Sequence, residues 1–383
     1  MSENGQEQAK QAQQDLFKEF MEAFQKESKG MKHVNLIISG KTGVGKSTLI
    51  NAAFRKDLAE TGVGAPITPE IRLYEEDGFP LRIYDTMGLE LSADRQEYAV
   101  NEIKKLCEEK KLTGDIDQTI HVMWYCVHGN GARFEPYEAN FVNEVASEMP
   151  VVIVLTQTIL KNVADKLKSE IEKQNTKARN VIVVRAQPYK SDDDQVLPAF
   201  GVDQLVEYTY SLLPEAVKKA WVNAQGACLK LKREKSHAIV LSAAAASFGE
   251  GYIPLPFSDC IALVPTQVGM IAAITAVYGL SLSKAMLTGI VTSLLGTAGT
   301  TLLGRTLAAA LLKCIPAAGQ AIGGTISGAT ASALTIALGE AYIQVMDLVF
   351  KGEISESDIV SGKVTGQLTT IFKENLQSEL HKR

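Results

Sequence analysis

The sequence predicts an α/β domain with a mostly parallel sheet, followed by an all-α hydrophobic domain. Three observations lead to this prediction. From His33 onward, short apolar runs alternate with charged, helix-forming stretches, a pattern typical of a parallel sheet covered by helices on both faces. A glycine-rich loop separates the first apolar run from the first of these helices. Residues 236–350 then carry few charges and are rich in Ala, Gly, Thr and Leu, which favours helices that are buried on all sides.

Length, charge and cysteine content limit the class of protein. The chain has 383 residues, enough for two or three domains. Its formal net charge is −5, so no nucleic-acid partner is expected. The five cysteines lie far apart and lack metal-ligand spacing, which indicates reduced residues of a cytoplasmic protein. The polar N-terminus has no apolar core of a signal peptide.

The first 32 residues predict an amphipathic helix. We interpret its apolar stripe either as packing against the protein's own body or as docking on a partner or a lipid surface. The stripe consists of Leu16, Phe17, Phe20, Met21 and Phe24.

Composition places three further segments after this helix. Residues 33–215 form the predicted α/β domain, residues 216–350 the hydrophobic helical domain and residues 351–383 a polar C-terminal helix. Five apolar runs in the α/β domain are predicted to be strands, because aliphatic runs of this length suit buried parallel strands. They comprise residues 34–38, 81–84, 118–127, 150–155 and 181–184, with helices predicted at 94–111 and 160–174.

The glycine-rich loop carries the most specific motif of the chain, G-x-x-x-x-G-K-[ST] between a strand and a helix. Glycines let main-chain N–H groups approach phosphates closely, and the helix directs its positive end at the same anion. Lys46 is predicted to contact the β- and γ-phosphates, and the Ser47 hydroxyl to bind Mg²⁺. The predicted phosphate-binding residues are Gly40, Lys41, Thr42, Gly43, Val44, Gly45, Lys46, Ser47 and Thr48.

A second element, DTMG, ends the next predicted strand about 40 residues after the loop. We expect Asp85 to hold Mg²⁺ through water and the Gly88 N–H to sense the γ-phosphate. Between the two elements, the polar segment from Thr61 to Thr68 is predicted to be a switch loop whose threonine closes on Mg²⁺. Thr68 is the candidate for this metal and catalytic role and Thr61 the second choice, the alternative being an ordinary turn threonine.

The run GKTGVGKSTLIN, which ends at Asn51, together with the later DTMG, resembles the Era-like, septin-like and immunity-related branches of the TRAFAC class of P-loop GTPases. The resemblance covers about residues 33–215. It implies a Ras-like fold, GTP as the bound guanine nucleotide, Mg²⁺ as cofactor, and hydrolysis coupled to a conformational switch.

Two departures from that family concern hydrolysis. Leu89 follows DTMG, where Ras-like enzymes place a glutamine that orients water, so slow intrinsic hydrolysis is expected. A homodimer that forms with nucleotide, or a partner, would supply the missing group, and Arg133 and Glu90 are candidate helpers. Gly43 stands where potassium-activated relatives carry Asn, so that mechanism is not supported.

The third departure concerns the base. The family follows the fourth strand with [NT]KxD, whose Asp accepts two hydrogen bonds from guanine, and here Ile159 occupies the Asp position. Thr156 matches the first position of that motif, and Gln157 is expected to pack over the base. The Ala186 N–H is expected to bond the guanine oxygen. Without the carboxylate, discrimination against ATP should weaken.

The hydrophobic region allows two interpretations. Charge-free stretches of 24, 20 and 26 residues follow Asp259, Lys284 and Lys313, each long enough to cross a bilayer. Their Ala, Gly, Thr and Ser content, with GxxxG spacings, also suits a tight soluble bundle. The basic cluster at residues 230–235 suits an anionic lipid surface or a solvated helix face. Residues 235–350 resemble the helical domain of unknown function that follows Era-like GTPase domains, which implies membrane linkage in some members.

Taken together, the sequence predicts a GTP-binding and GTP-hydrolysing switch that controls a membrane-associated helical domain, through residues 236–350. Three alternatives stay open. One is a nucleotide-binding regulatory module without significant hydrolysis, suggested by Leu89. Another is a P-loop ATPase with relaxed base specificity, suggested by Ile159. The third is a membrane-shaping or pore-like protein with a regulatory nucleotide-binding domain.

Overall fold

The protein divides into two compact units in the computed structural model. One unit is Met31–Leu231, and the other combines Met1–Gly30 with Lys232–Arg383. Residues 216–231, which composition groups with the helical domain, therefore lie in the first unit. The structure describes residues 3–54, 65–68, 71–86, 93–131, 133–191, 194–250, 264–280, 328–355, 358 and 363–381.

A seven-stranded sheet forms the centre of the first unit, and a two-stranded hairpin accompanies it. The sheet strands, in chain order, are β1 (Val34–Gly40), β2 (Ala65–Thr68), β3 (Ile71–Tyr74), β4 (Leu81–Thr86), β5 (Val122–His128), β6 (Val151–Thr156) and β7 (Asn180–Val183). Their spatial order is β2-β3-β4-β1-β5-β6-β7. The hairpin pairs β8 (Tyr189–Lys190) with β9 (Val196–Leu197).

The five strands from β4 to β7 in that order pair in parallel, whereas β2 and β3 add an antiparallel edge. Parallel strands require crossover helices, and these cover both faces. The helices of this unit are α2 (Lys46–Ala53), α3 (Ala93–Leu112), α4 (Pro136–Val145), α5 (Lys161–Lys173), α6 (Val202–Leu212) and α7 (Glu215–Ala224). The predicted fold class, a mostly parallel Ras-like sheet followed by helices, is confirmed.

Alternation along the central strand builds two separate cores. Leu36 and Ile38 of β1 belong to one core, and Ile37 between them belongs to the other. Both tryptophans of the chain, Trp124 and Trp221, pack edge to face in the first core with ring centroids 5.9 Å apart. All seven residues of β1 are buried, so the strand that precedes the phosphate loop is fixed by packing on both faces.

Three elements were not predicted: the strands β2 and β3 at the antiparallel edge and the β8–β9 hairpin. Residues 65–68, assigned to a switch loop, form the edge strand β2, which pairs with β3 through a register shift between Pro66 and Thr68. Four-residue strands with a proline have too little alternation to stand out in a sequence. The β8–β9 hairpin is shorter still and was missed for the same reason.

The second unit is helical. Among the described residues it contains α1 (Glu3–Lys29), most of α8 (Leu229–Glu250), α9 (Val264–Tyr278), α10 (Gly328–Phe350) and α11 (Lys363–His381). Helix α10 contacts both α9 and α11, and α1 lies along α9. Phe20 of the predicted apolar stripe is fully buried. In the structure α1 thus packs against another helix of the protein, which is the first of the two interpretations drawn from the sequence.

Helix α10 is apolar enough to raise the question of a membrane span. Among the described residues, a single helical stretch, Ala331–Phe350, meets the length and composition of a bilayer-crossing segment. Of its most apolar window, 61% is buried inside the protein. The core helix of a soluble bundle has the same properties, so this stretch by itself is weak evidence for a membrane.

Three pairs of polar side chains join α8 to α10, and their order along the chain shows that the two helices run antiparallel. A side chain on α8 meets one on α10 at three levels, and a Cβ at Gly339 would lie 2.4 Å from the Val240 Cγ2 atom. The third of the pairs given below is buried, whereas the first two are partly exposed. Polar groups that find partners on a neighbouring helix favour one alignment of the two helices. The pairs are Arg233 Nε with Asp347 Oδ2 at 2.5 Å, His237 Nδ1 with Glu340 Oε1 at 2.7 Å and Ser247 Oγ with Thr335 Oγ1 at 2.9 Å.

A buried histidine precedes β5 in the α/β unit. His121 is 3% exposed, and the Asn35 N–H donates to its Nδ1 atom at 2.9 Å. Burial lowers the pKa of His121 from 6.5 to about 4, against the opposing influence of Ile116 and Asp117. The folded unit therefore holds this imidazole neutral at pH values where the unfolded chain protonates it.

We predict that the free energy of unfolding of the α/β unit falls as the pH drops from 6.5 to about 4. The stabilisation that neutral His121 contributes to the folded unit is fully present above pH 6.5. It falls by about 3 kcal/mol between pH 6.5 and about pH 4. Urea denaturation followed by tryptophan fluorescence measures this unit, because both tryptophans lie in it.

Replacing His121 with Gln removes the titrating ring and should flatten this part of the pH profile. The exposed His128 serves as the matched control, and His128→Gln should leave the profile of the wild type unchanged. An unchanged slope in His121→Gln would contradict the assignment.

Candidate functional site

The glycine-rich loop lies where the fully buried strand β1 ends and α2 begins. Gly40 has a φ of 141°, and a Cβ there would lie 2.3 Å from the Cys126 carbonyl oxygen on the adjacent strand. Gly45, the N-cap of α2, adopts the left-handed conformation with a φ of 95°. A side chain is excluded at the first position and strained at the second. The backbone therefore requires glycine at these two positions of the motif.

The loop presents main-chain donors without acceptors. Among the described residues, none accepts the N–H groups of Gly43, Gly45, Lys46, Ser47 or Thr48, and the first helical bond of α2 runs from Leu49 N to Gly45 O. The N-cap makes no side-chain hydrogen bond to these donors. Successive unbonded N–H groups at a helix N-terminus bind an anion. The geometry therefore suits a phosphate group.

Lys46 contributes the cation of the site. Its Nζ atom donates to the carbonyl oxygens of Gly40 at 3.1 Å and Lys41 at 3.5 Å. The ammonium thus lies across the loop, beside the unbonded N–H groups. Here it can contact the phosphates of a nucleotide as a point charge.

Asp85 lies on β4, which pairs with β1 next to the loop. Its Oδ1 atom is buried and has no hydrogen-bond partner among the described residues. Burial raises the pKa of Asp85 above its ordinary value, while the charges of Lys46 and Arg72 act in the opposite direction. A desolvated carboxylate oxygen without a donor is a ligand suited to a hard divalent cation, directly or through water. The residues present therefore fit Mg²⁺.

The other predicted metal and γ-phosphate residues are only partly visible. The backbone of Thr68 lies in β2, paired with Ile71, and its side chain falls outside the described residues. Thr61, Gly88, Leu89 and Glu90 also fall outside them. Their roles stay predictions.

Residues 156–159, which begin at the last residue of β6, are held against the phosphate loop. We call this segment the base loop. The Thr156 hydroxyl donates to Val44 O at 2.5 Å, and Gln157 Nε2 donates to Gly43 O at 2.7 Å. Gln157 is left-handed, with a φ of 51°, and its side chain packs against Gly45. The structure therefore brings Thr156 and Gln157 to the phosphate loop, where they support its carbonyl groups. The packing of Gln157 over the base stays a prediction.

The remaining end of the base loop depends on residues that the sequence did not single out. The Ile159 N–H donates to Asn130 Oδ1 at 2.9 Å. Arg185, the residue before the predicted base contact Ala186, donates to the carbonyl oxygens of Thr158 and Ile159 at 2.8 Å each. The Ala186 N–H has no acceptor among the described residues, which is compatible with its predicted role. No motif marks Arg185, because its partners are main-chain atoms.

Lys41 binds Glu138 of α4, another residue that the sequence did not single out. The Lys41 Nζ atom lies 3.3 Å from Glu138 Oε1 and 5.4 Å from the Tyr137 ring centroid. Burial acts to lower the pKa of Lys41, but Tyr137 and Glu138 outweigh it and raise the pKa above its ordinary value. The Tyr125 hydroxyl also donates to Glu138 Oε1, at 3.2 Å. The predicted phosphate-binding side chain is thus tied to a carboxylate that is 2% exposed.

A family sequence model matches the part of the chain that contains the site. This model, described as "50S ribosome-binding GTPase", matches residues 35–184. The match includes β1, the phosphate loop, Asp85 and the base loop. It ends before Arg185 and therefore bears on the α/β unit alone.

Two individual proteins are similar to parts of this chain. The Translocase of chloroplast 34 homolog, chloroplastic, of Chlamydomonas reinhardtii is 26% identical over 132 residues, which are 31% of this chain and 32% of the relative. The chain thus matches about a third of that relative's length. A solved structure titled "Crystal structure of a probable GTP-binding protein engB" is 19% identical and covers 47% of this chain and 98% of its own, with a TM-score of 0.34.

We predict that Glu138→Gln lowers the stability of the α/β unit by about 1–2 kcal/mol, because a buried carboxylate that binds Lys41 and Tyr125 loses its charge. The pKa of Lys41 should also fall. Urea denaturation followed by tryptophan fluorescence measures the first effect, and NMR of the lysine side chain the second.

Glu144 on the same helix is the matched control. It pairs with Lys104 at 2.5 Å but is exposed, so Glu144→Gln should change stability by less than about 0.5 kcal/mol. Equal effects of the two variants would show that the Lys41 pair is an ordinary surface contact.

Proposed function

We propose that this chain binds Mg²⁺–GTP and hydrolyses it as a nucleotide-dependent switch. The match of residues 35–184 to a GTPase family model supports this proposal. One observation carries the proposal. Three features lie together at the ends of β1 and β4: N–H groups of the phosphate loop, the Lys46 ammonium and the buried Asp85 oxygen. Within the residues that the structure describes, these N–H groups and this oxygen have no hydrogen-bond partner. This set of donors, cation and carboxylate is what a triphosphate with a divalent cation requires.

The reaction is in-line attack by water on the γ-phosphate. We assign to Lys46 the contact with the β- and γ-phosphate oxygens, where its charge stabilises the transition state. The N–H groups of the loop hold the remaining phosphate oxygens in place. Ser47, Thr68 and Asp85 would hold Mg²⁺, which neutralises phosphate charge when it is bound.

Intrinsic hydrolysis is expected to be slow, because Leu89 cannot orient the attacking water. A group from another molecule would then raise the rate. Arg133 is exposed in the loop between β5 and α4, where its side chain is accessible to a second copy of the chain bound to nucleotide. Glu90 is the other candidate helper.

The base is proposed to be guanine, with weakened discrimination. Ile159 supplies no carboxylate to the amino group of guanine, which supports the alternative of a P-loop ATPase with relaxed specificity. Competition of GTP, ATP and XTP for one labelled nucleotide decides between them. A clear preference for ATP would overturn the assignment of guanine.

We predict that Lys46→Ala weakens Mg²⁺–GTP binding about 10- to 100-fold, because a charge-assisted contact contributes about 1.5–3 kcal/mol. Titration of a fluorescent GTP analogue measures the affinity. Phosphate release per site should rise with protein concentration if a second copy completes the site.

Lys177→Ala, at an exposed lysine before β7, serves as the control and should bind as the wild type does. Unchanged affinity in Lys46→Ala would refute the phosphate site. Binding without phosphate release above background, across the whole protein titration, would leave the nucleotide-binding regulatory module as the function.

We further propose that nucleotide state controls membrane engagement through residues 236–350. The charge-free stretches support this role. The buried position of α10 favours a bundle that contacts the membrane surface over one that inserts this helix.

We predict that the full chain floats with liposomes containing anionic lipid and that a chain ending at residue 231, the end of the α/β unit, does not. Flotation in 1 M NaCl separates electrostatic surface contact from insertion, since salt screens only the former. Equal flotation of the two chains would exclude the membrane role of this region.

A further inference from the structure

Arg185 is a buried cation of the α/β unit that belongs to neither the phosphate site nor the metal site. It follows β7 and is 9% exposed. Its guanidinium donates to Thr158 O through Nε, to Ile159 O through Nη2 and to Pro198 O through Nη1, at 2.8 Å each. One planar side chain thus joins the base loop to the segment after the β8–β9 hairpin.

The environment of this charge is unusual. Within the described part of the chain, no carboxylate forms an ion pair with Arg185. Main-chain carbonyl oxygens and the ring of Phe200, whose centroid lies 5.1 Å from the guanidinium carbon, surround it instead. Burying a cation is costly unless its donors are satisfied. All three contacts are to main-chain oxygens, so the side chain holds backbone in place.

The base loop is therefore fixed at both of its ends by different residues. Thr156 and Gln157 hold its beginning through Val44 O and Gly43 O of the phosphate loop. Arg185 holds its end through Thr158 and Ile159. Only the first set reaches the phosphate loop, so the two sets should act on different parts of a nucleotide.

Arg185 is itself anchored. Its main chain forms a two-way bridge with Phe200, with N to O distances of 3.0 Å in both directions. The same ring stacks on the guanidinium, which adds a cation–π contact to the bridge. The orientation of the base loop consequently depends on residues 198–200 as well as on Arg185.

We propose that Arg185 is a positioning residue for the nucleobase, which fixes the base loop so that Gln157, Ile159 and the neighbouring Ala186 meet the base without rearrangement. A loop that is ordered before binding loses less conformational entropy when the ligand arrives. Arg185 thereby replaces part of the order that the missing carboxylate at position 159 would provide. This inference rests on the proposed nucleotide-binding function.

The test separates the base from the phosphates. Arg185→Met removes all three donors and keeps a long apolar stem. Competition against a labelled GTP analogue should show GTP about tenfold weaker than for the wild type, with inorganic tripolyphosphate unchanged within about twofold. A residue with a merely structural role would weaken both ligands alike, because both use the phosphate loop.

Matched variants serve as controls for this test. Arg179→Met changes an exposed arginine just before β7 and should alter neither affinity. Arg185→Lys keeps the charge with fewer donors and should give an intermediate loss for GTP alone. If Arg185→Met does not fold by tryptophan fluorescence, Phe200→Leu, which removes only the stacked ring, should give the same selective loss at a smaller size.

The outcomes distinguish this inference from the function on which it rests. If the wild type fails to bind GTP, the proposed function is wrong and the inference falls with it. If the wild type binds GTP and every Arg185 variant binds it equally well, only the inference is overturned. Equal losses for GTP and tripolyphosphate also overturn it.

Discussion

The phosphate loop depends on the hydrogen bonds that occupy its carbonyl groups. Thr156 binds Val44 O, Gln157 binds Gly43 O and Lys46 binds Gly40 O. With these oxygens occupied, the N–H groups of the loop are left for an anion. Thr156 and Gln157 reach the loop because β1, β5 and β6 run in parallel and end at the same edge of the sheet. The sheet therefore determines the binding site before any ligand is present.

Charges around the site are arranged in separate groups. The charge of Lys46 acts to lower the pKa of Asp85, and a buried oxygen of that carboxylate has no hydrogen-bond partner in the described part of the chain. Lys41, one residue into the same loop, is instead neutralised by Glu138. Arg185 is compensated by main-chain oxygens and the Phe200 ring. These charged groups are thus compensated in different ways, and the Lys46 ammonium stays available to contact phosphate.

The helical unit shows how an apolar sequence is constrained by a few polar side chains. Most residues of α10 are buried, yet three polar pairs connect it to α8, and Gly339 allows close contact with Val240. Apolar packing alone would tolerate several alignments of these helices, whereas the polar pairs favour one. Whether such a helix lies in a bundle or a bilayer depends on what surrounds it, and composition does not contain that information.

The sequence by itself determined the parallel strands of the sheet, the phosphate loop and the position of Asp85, because each follows from local patterns: aliphatic runs, the spacing of glycines around Lys46 and an acidic residue at a strand end. It missed the short strands β2 and β3 at the antiparallel edge and the hairpin β8–β9, whose residues show too little periodicity. Only the tertiary structure decided that Lys41 pairs with Glu138, that Asn130 meets Ile159, and that Arg185 fixes the base loop. These contacts join side chains to main-chain atoms or residues far apart in the chain, and no local pattern of residue types encodes them.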